Sequence, residues 1–323
     1  MNVRGILVGC TLLASSVVAE AAPLEVVVSL DAALGQLPES IAADASGNLY
    51  VSMANTVAKV TASGDVVTLA TLPVPTGVFA TGVKLGPDGA LYVASAAFDP
   101  SLAGSFVWRI SLSGGDADPV ATLDPSGFPN DIAFDEAGSF YVTDPFLGSV
   151  WRVDAGGVAT EWFSDPALLG NPSAPALGAP FGVDGIAFDR QKRHLYLTNL
   201  DYGVIFKLPI LPSGGPGSLE VYASDPLLVG ADGIAFDRSG KLYVAVNAQD
   251  RIATVDRRGN VRVVAEAGLL DSPSAFAFGA APCDRHTLYI SNFAIARANG
   301  LKPGEPRPGI LSLQVSVPGL PLP

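Results

Sequence analysis

Glu39, Asn130, Asp184 and Asp232 offer only oxygen ligands, and with Gly82 and Ser274 they make a series with one member every 42 to 54 residues. Each stands just ahead of a short apolar run, so each starts the same local structure. If that structure repeats around an axis, all six positions point at the axis. Three converging carboxylates would repel and raise one another's pKa, and a bound hard cation resolves the conflict. A set of Glu, Asn, Asp and Asp suits Ca²⁺ or Mg²⁺ better than zinc or copper. The same residues also have a structural use. Asp184-Gly185 and Asp232-Gly233 are ordinary turn dipeptides, and Asn or Asp at the start of a strand can bond its own backbone. Turn chemistry does not require Glu39, which favours a shared site.

The element that must position these residues is a phrase of about 16 residues that recurs six times. Its clearest copies are PNDIAFDEAGSFYVTD from Pro129, VDGIAFDRQKRHLYLTN from Val183 and ADGIAFDRSGKLYVAVN from Ala231. Weaker copies start at Pro38, Thr81 and Pro273, and the shared tyrosines are Tyr50, Tyr92, Tyr141, Tyr196, Tyr243 and Tyr289. A period of roughly 40–50 residues marks a stacked or radial repeat. Each copy reads as an apolar strand, a tight turn and a second strand, which is a β-hairpin. Two further strands follow each hairpin, for example Ser149 to Val153 and Val158 to Trp162. Four antiparallel strands per unit predict an all-β, six-bladed β-propeller. The sixth blade has a third strand from Ile310 to Val315 and then a Pro-rich tail, whereas Leu24 to Val28 belongs to no hairpin. The N-terminal strand is therefore expected to close the last blade and remove both free sheet edges.

In such a blade the loops that precede the innermost strand and those that follow each Tyr share one face. The long excursions Ala96 to Ser105, Asp165 to Phe181 and Ala294 to Gly309 all fall there, and their Leu, Phe, Ala and Pro predict a partly apolar channel mouth. Asp144, Asn199, Asn247 and Asn292 end the second strands on that face and are candidates for substrate contact. Asp44, Asp88, Asp135, Asp189 and Asp237 fall in the far-face hairpin turns and read as structural. The two histidines, His194 and His286, lie in those turns as well, and so does Cys283. This argues against a Ser-His-Asp triad, a histidine base or a histidine-ligated zinc.

Composition narrows the function classes. Net charge is −12, against nucleic-acid or anionic-membrane partners, which need clustered Lys and Arg. With 35 Gly, 26 Pro and only 15% charged residues, the chain has the balance of many short strands and tight turns. Residues 1–21 (Arg4, an apolar run, then Ala19-Glu20-Ala21) read as a signal peptide, which places a mature domain of residues 22–323 in the periplasm or outside the cell. No later segment has the ~18 uninterrupted apolar residues of a spanning helix, so membrane insertion is not expected. A single domain and a monomer are expected.

These residues resemble the senescence-marker-protein, gluconolactonase and luciferin-regenerating-enzyme-like family of six-bladed propellers. The most specific stretch is Ala231 to Ala245; Phe128-Pro129-Asn130-Asp131 looks like the family's Asn-Asp motif and Leu37-Pro38-Glu39 like its N-terminal Glu motif. The resemblance implies a divalent metal, calcium or zinc, in the channel. It implies Glu39, Asp184 and Asp232 as ligands, Asp232 doubling as general base, and Asn130 contacting substrate or the metal's water. Asp184 stands where family members carry Asn. Phe128 stands at their substrate-binding Arg, so a less polar lactone or ester than an aldonolactone is expected.

The leading expectation is a secreted hydrolase of a lactone or ester, a small-molecule enzyme with calcium preferred and magnesium or zinc as alternatives. The cation would polarise the carbonyl; Asp232 would be the base, and Asn130, Asp144, Asn199 and Phe128 would contact substrate. The alternatives are a non-catalytic propeller that binds a ligand or protein around a structural cation, and a lyase or synthase on the same scaffold. A streptogramin-lyase-like chemistry is disfavoured because no His faces the channel.

Overall fold

The computed structural model describes residues 23–321; the expected signal peptide lies outside them. Twenty-four strands form six four-stranded antiparallel sheets, each built from strands consecutive in sequence except one. The innermost strands, from blade one to blade six, are Pro38–Ala43, Val78–Leu85, Ile132–Phe134, Val183–Phe188, Ala231–Phe236 and Pro273–Phe278. The exception is blade six, where Glu25–Ser29 pairs with Gly309–Gln314 as the outermost strand. The ring is thus a six-bladed β-propeller closed by its N-terminal strand, as the orphan strand Leu24 to Val28 predicted. Among the described residues no helix is long and apolar enough to cross a membrane.

Alternation along each strand puts one side of every blade against its neighbour, and the apolar core accordingly splits into six parts. Each part is shared by two adjacent blades: Tyr50 and Val57 of blade one meet Val83, Val93 and Trp108 of blade two, and Ile41 and Val51 of blade one meet Ala275 and Ile310 of blade six. The far-face turns carry the structural load expected of them. Asp44 accepts hydrogen bonds from the Ser46 and Asn48 amides and from the Tyr50 hydroxyl. His194 pairs with Asp189 at 2.7 Å, far from the channel mouth. The C-terminal tail returns across this face, where Leu320 donates its amide to the Phe236 carbonyl and lines the channel's rear opening.

Candidate functional site

The pocket is built where the innermost strands start. In five blades the pairing of the innermost strand with its neighbour is irregular at that point: between Pro38 and Ser40, Ala80 and Val83, Val183 and Ile186, Ala231 and Ile234, and Pro273 and Ala275. A bulge there releases a residue from the ladder and re-aims its side chain. In blade three the strand begins only at Ile132, after Asn130 and Asp131. The released residues are Glu39, Thr81, Asn130, Asp184, Asp232 and Ser274. Thr81, not Gly82, is therefore the blade-two member: Ala80-Thr81-Gly82-Val83 stands in register with Val183-Asp184-Gly185-Ile186 and Ala231-Asp232-Gly233-Ile234, with the same bulge in each.

The glycines after three of these residues have a physical reason other than turns. Gly82, Gly185 and Gly233 all lack the left-handed backbone of a turn glycine. A Cβ on Gly82 would stand 2.3 Å from the Asn130 carbonyl, on Gly185 2.3 Å from the Asp232 carbonyl, and on Gly233 2.5 Å from the Ser274 carbonyl. Each glycine lets the next blade's ring residue pass close by. Buried hydroxyls fasten the same seams: Thr198 Oγ1 donates to the Asp232 carbonyl at 2.9 Å, Ser291 Oγ to the Pro38 carbonyl at 2.7 Å, and Thr143 Oγ1 to the Asp184 carbonyl. Backbone contacts thus fix the ring and leave the side chains of Glu39, Asn130, Asp184 and Asp232 for the pocket, whereas the Thr81 and Ser274 hydroxyls donate to the Pro129 and Glu39 carbonyls.

Glu39, Asn130, Asp184 and Asp232 line one cavity of about 480 Å³, together with Asn247 and Phe128. Asp184 is 2% exposed and Asp232 9%. Burial pushes the carboxyls of Glu39, Asp184 and Asp232 well above the usual carboxylate range. The charges of Asp232 and Asp131 raise Glu39 further, and those of Asp232 and Glu39 raise Asp184. The Asn247 amide opposes the shift of Asp232 by donating Nδ2 to Oδ2 at 3.0 Å. Beneath them Lys84 Nζ pairs with Asp131 Oδ1 at 3.1 Å and lowers Glu39 by its charge.

Two oxygens here have no hydrogen-bond partner although both are buried: Asp184 Oδ1 and Asn247 Oδ1. Orphaned buried acceptors are costly in a folded protein unless something else satisfies them. With Glu39, Asn130 and Asp232 they make a donor set of oxygen alone, which fits a hard divalent cation. Among the described residues, however, no three His, Cys, Asp or Glu are drawn into one sphere that could hold a metal. A cation on this floor would therefore have to use the neutral oxygens of Asn130 and Asn247 along with carboxylates.

Two expected substrate contacts are not brought to the cavity wall. Asp144 is fully buried and accepts from the amides of Phe128, Phe146 and Leu147 and from the Trp151 indole. Asn199 donates to the Ala167 and Leu169 carbonyls and accepts from the Tyr202 amide. Both hold loops, and their hydrogen-bonding capacity is committed to backbone and, for Asp144, to the Trp151 indole as well. Asn292 does the same for Leu269 and Arg307, so Asn247 alone of the four strand-end candidates reaches the pocket. Lys84 and Asp131 were missed, although a signal was present. The column Ala42, Lys84, Ala133, Ala187, Ala235, Ala277 contains one lysine among five alanines.

Several solved structures share this architecture. Regucalcin, a calcium-binding protein from Agrobacterium tumefaciens, superposes with a TM-score of 0.67 at 18% identity, covering 90% of this chain and 94% of that one. A gluconolactonase from Xanthomonas campestris gives 0.63 at 16% identity over 94% and 93%. A streptogramin B lyase gives 0.58 at 14% identity over 85% and 78%. At these identities the likeness is one of fold. No curated protein matches by sequence. The family model for the SMP-30/Gluconolactonase/LRE-like region matches residues 101–294, more than half of the chain. The chain belongs to that family.

Proposed function

We propose that this protein is a metal-dependent hydrolase of a small-molecule lactone or ester, and that it works outside the cytoplasm. The observation that carries the proposal is the buried, partnerless Asp184 Oδ1 beside Glu39, Asp232 and Asn247 on the floor of one cavity. Glu39, Asp184 and Asp232, with the amide oxygens of Asn130 and Asn247, would hold the ion. When bound, a hard cation supplies Lewis-acid polarisation of a carbonyl and offsets the charge that develops on its oxygen. Asp232, oriented by the Asn247 amide, takes the proton from water as the water oxygen attacks the carbonyl carbon. A carboxyl raised by burial suits a general base working near neutral pH. The C–O bond then breaks, and the same carboxyl returns the proton to the leaving alkoxide. Asn130 orients the carbonyl group from blade three. Export rests on the signal-like residues 1–21, and residues 22–323 form its single domain.

The separation of the carboxylates favours a second reading, a propeller that binds a ligand without turnover. One experiment separates the two. The protein is chelated, then reloaded with calcium, magnesium or zinc, and offered a broad panel of lactones and aryl esters; Asp232→Asn is tested beside it. Hydrolysis that depends on the metal and is lost by at least about a hundredfold in a folded Asp232→Asn supports the enzyme. No turnover of any substrate by any metal form leaves the binding propeller.

A further inference from the structure

The cavity is acidic only at its floor. Its walls carry phenylalanines from one strand and three loops: Phe79 in the innermost strand of blade two, Phe98 after that blade's second strand, Phe128 ahead of blade three, and Phe181 ahead of blade four. Ring centroids lie 6.0 Å apart for Phe79 and Phe98, 4.9 Å for Phe98 and Phe128, and 5.2 Å for Phe128 and Phe181. Leu301, from the long loop of blade six, lines the cavity as well. Phe98 and Leu301 are each 58% exposed, so the apolar patch that the cavity wall makes is open to a ligand.

This wall is also held in place. Asp144 Oδ1 accepts the Phe128 amide at 2.8 Å, and Asp201 Oδ2 accepts the Phe181 amide at 2.7 Å. Buried Asp271 pairs with Arg297 and accepts the Arg307 amide, which anchors the loop that carries Leu301. A pre-formed apolar surface binds without the entropic cost of ordering it. The polar groups gather on the floor around Glu39, Asn130, Asp184, Asp232 and Asn247, apart from the exposed Asn299 on the loop that carries Leu301; the Thr81 hydroxyl is taken by the Pro129 carbonyl. A polyhydroxylated ligand would leave its hydroxyls facing phenyl rings, and unsatisfied polar groups are costly when buried.

We propose that the substrate carries an apolar arm, an alkyl chain or aryl group, that lies against the Phe79, Phe98, Phe128 and Phe181 wall while its ester or lactone carbonyl meets the acidic floor. This deepens the hydrolase reading and rests on it, but the arm site itself is testable without turnover. The probes are γ-lactams, which resist hydrolysis, with side chains from ethyl to decyl, and a polyhydroxylated lactam for comparison. Binding is measured by calorimetry on wild type, Phe98→Ala and Leu301→Ser, both changes at exposed positions. The expected result is a rise in affinity of about fourfold per methylene until the wall is filled. That rise should flatten in each variant, and the polyhydroxylated lactam should bind more weakly than any alkyl member. Equal affinities for ethyl and decyl, or tightest binding of the polyhydroxylated lactam, would overturn the proposal. Chain-dependent binding with no hydrolysis of the matching lactones would overturn the hydrolase reading and leave the arm site standing. Hydrolysis without chain dependence would do the reverse.

Discussion

At the scale of single residues, this protein uses one residue type for opposite tasks. Asp232 keeps its side chain for the pocket because its backbone carbonyl is tied to Thr198, whereas Asp144 gives its carboxylate to three loop amides. The sequence shows an acid at both positions and cannot distinguish them, because the difference lies in which backbone groups come within reach. The glycines beside the ring residues give a sharper test. Gly185→Ala should destabilise by about 1–3 kcal/mol, since the new methyl must displace the Asp232 carbonyl of the next blade. Gly215→Ala, whose Cβ would meet nothing closer than Ser213 Oγ at 3.5 Å, should be close to neutral. Chemical denaturation of both variants checks this, and equal stability would mean that the seam between blades four and five yields easily.

At the scale of elements, the hairpins were legible and the strand starts were not. Apolar alternation and, in four of the six blades, a turn with Asp followed by Gly mark the first two strands. The predicted third strand Ser149 to Val153 is observed with those bounds, and the predicted Val158 to Trp162 is observed as Ala159–Ser164. The bulge at each strand start, by contrast, leaves no mark in composition, and the blade-two ring residue is Thr81 and not Gly82 because Thr81-Gly82-Val83 occupies the same bulge as Asp184-Gly185-Ile186. Closure by Glu25–Ser29 has its own consequence. That strand covers the outer edge of Gly309–Gln314 and sends Val28 into the core between blades six and one. Removal of residues 23–30 should therefore lower the melting temperature by at least several degrees and promote association through the uncovered edge. Calorimetry and light scattering on the mature chain with and without that segment test it; an unchanged transition would show that blade six is complete without its fourth strand.

At the scale of the whole molecule, electrostatics and closure act together. Burial and mutual repulsion hold Glu39, Asp184 and Asp232 above the ordinary carboxyl range, so the folded chain binds more protons than the unfolded one from about pH 4 upward. Stability of the chelated protein should therefore fall as pH rises through that window. Asp250 behaves in the opposite sense: burial raises it, but hydrogen bonds from Lys302 and the Ser272 amide outweigh burial and hold it low. Its contribution is present above the unfolded carboxyl pKa and is lost as pH falls through its own lower value. Melting curves in chelator should pass through a maximum in mildly acidic buffer. Asp184→Asn should flatten the neutral limb, and saturating calcium, which at 100 times its Kd adds about 2.7 kcal/mol, should restore stability near pH 7. A chelated protein whose melting temperature is the same at pH 5 and pH 8 would sink this account. The six-fold repeat, the all-β class, the closing strand and the oxygen-only ring are readable in the chain because strand alternation and turn chemistry are local and recur at a regular period. The tertiary structure alone decided which acids face the pocket, that Lys84 pairs with Asp131 under them, and that phenylalanines from one strand and three loops form one wall. Those outcomes depend on the distance between atoms of different blades, which only closure of the ring sets.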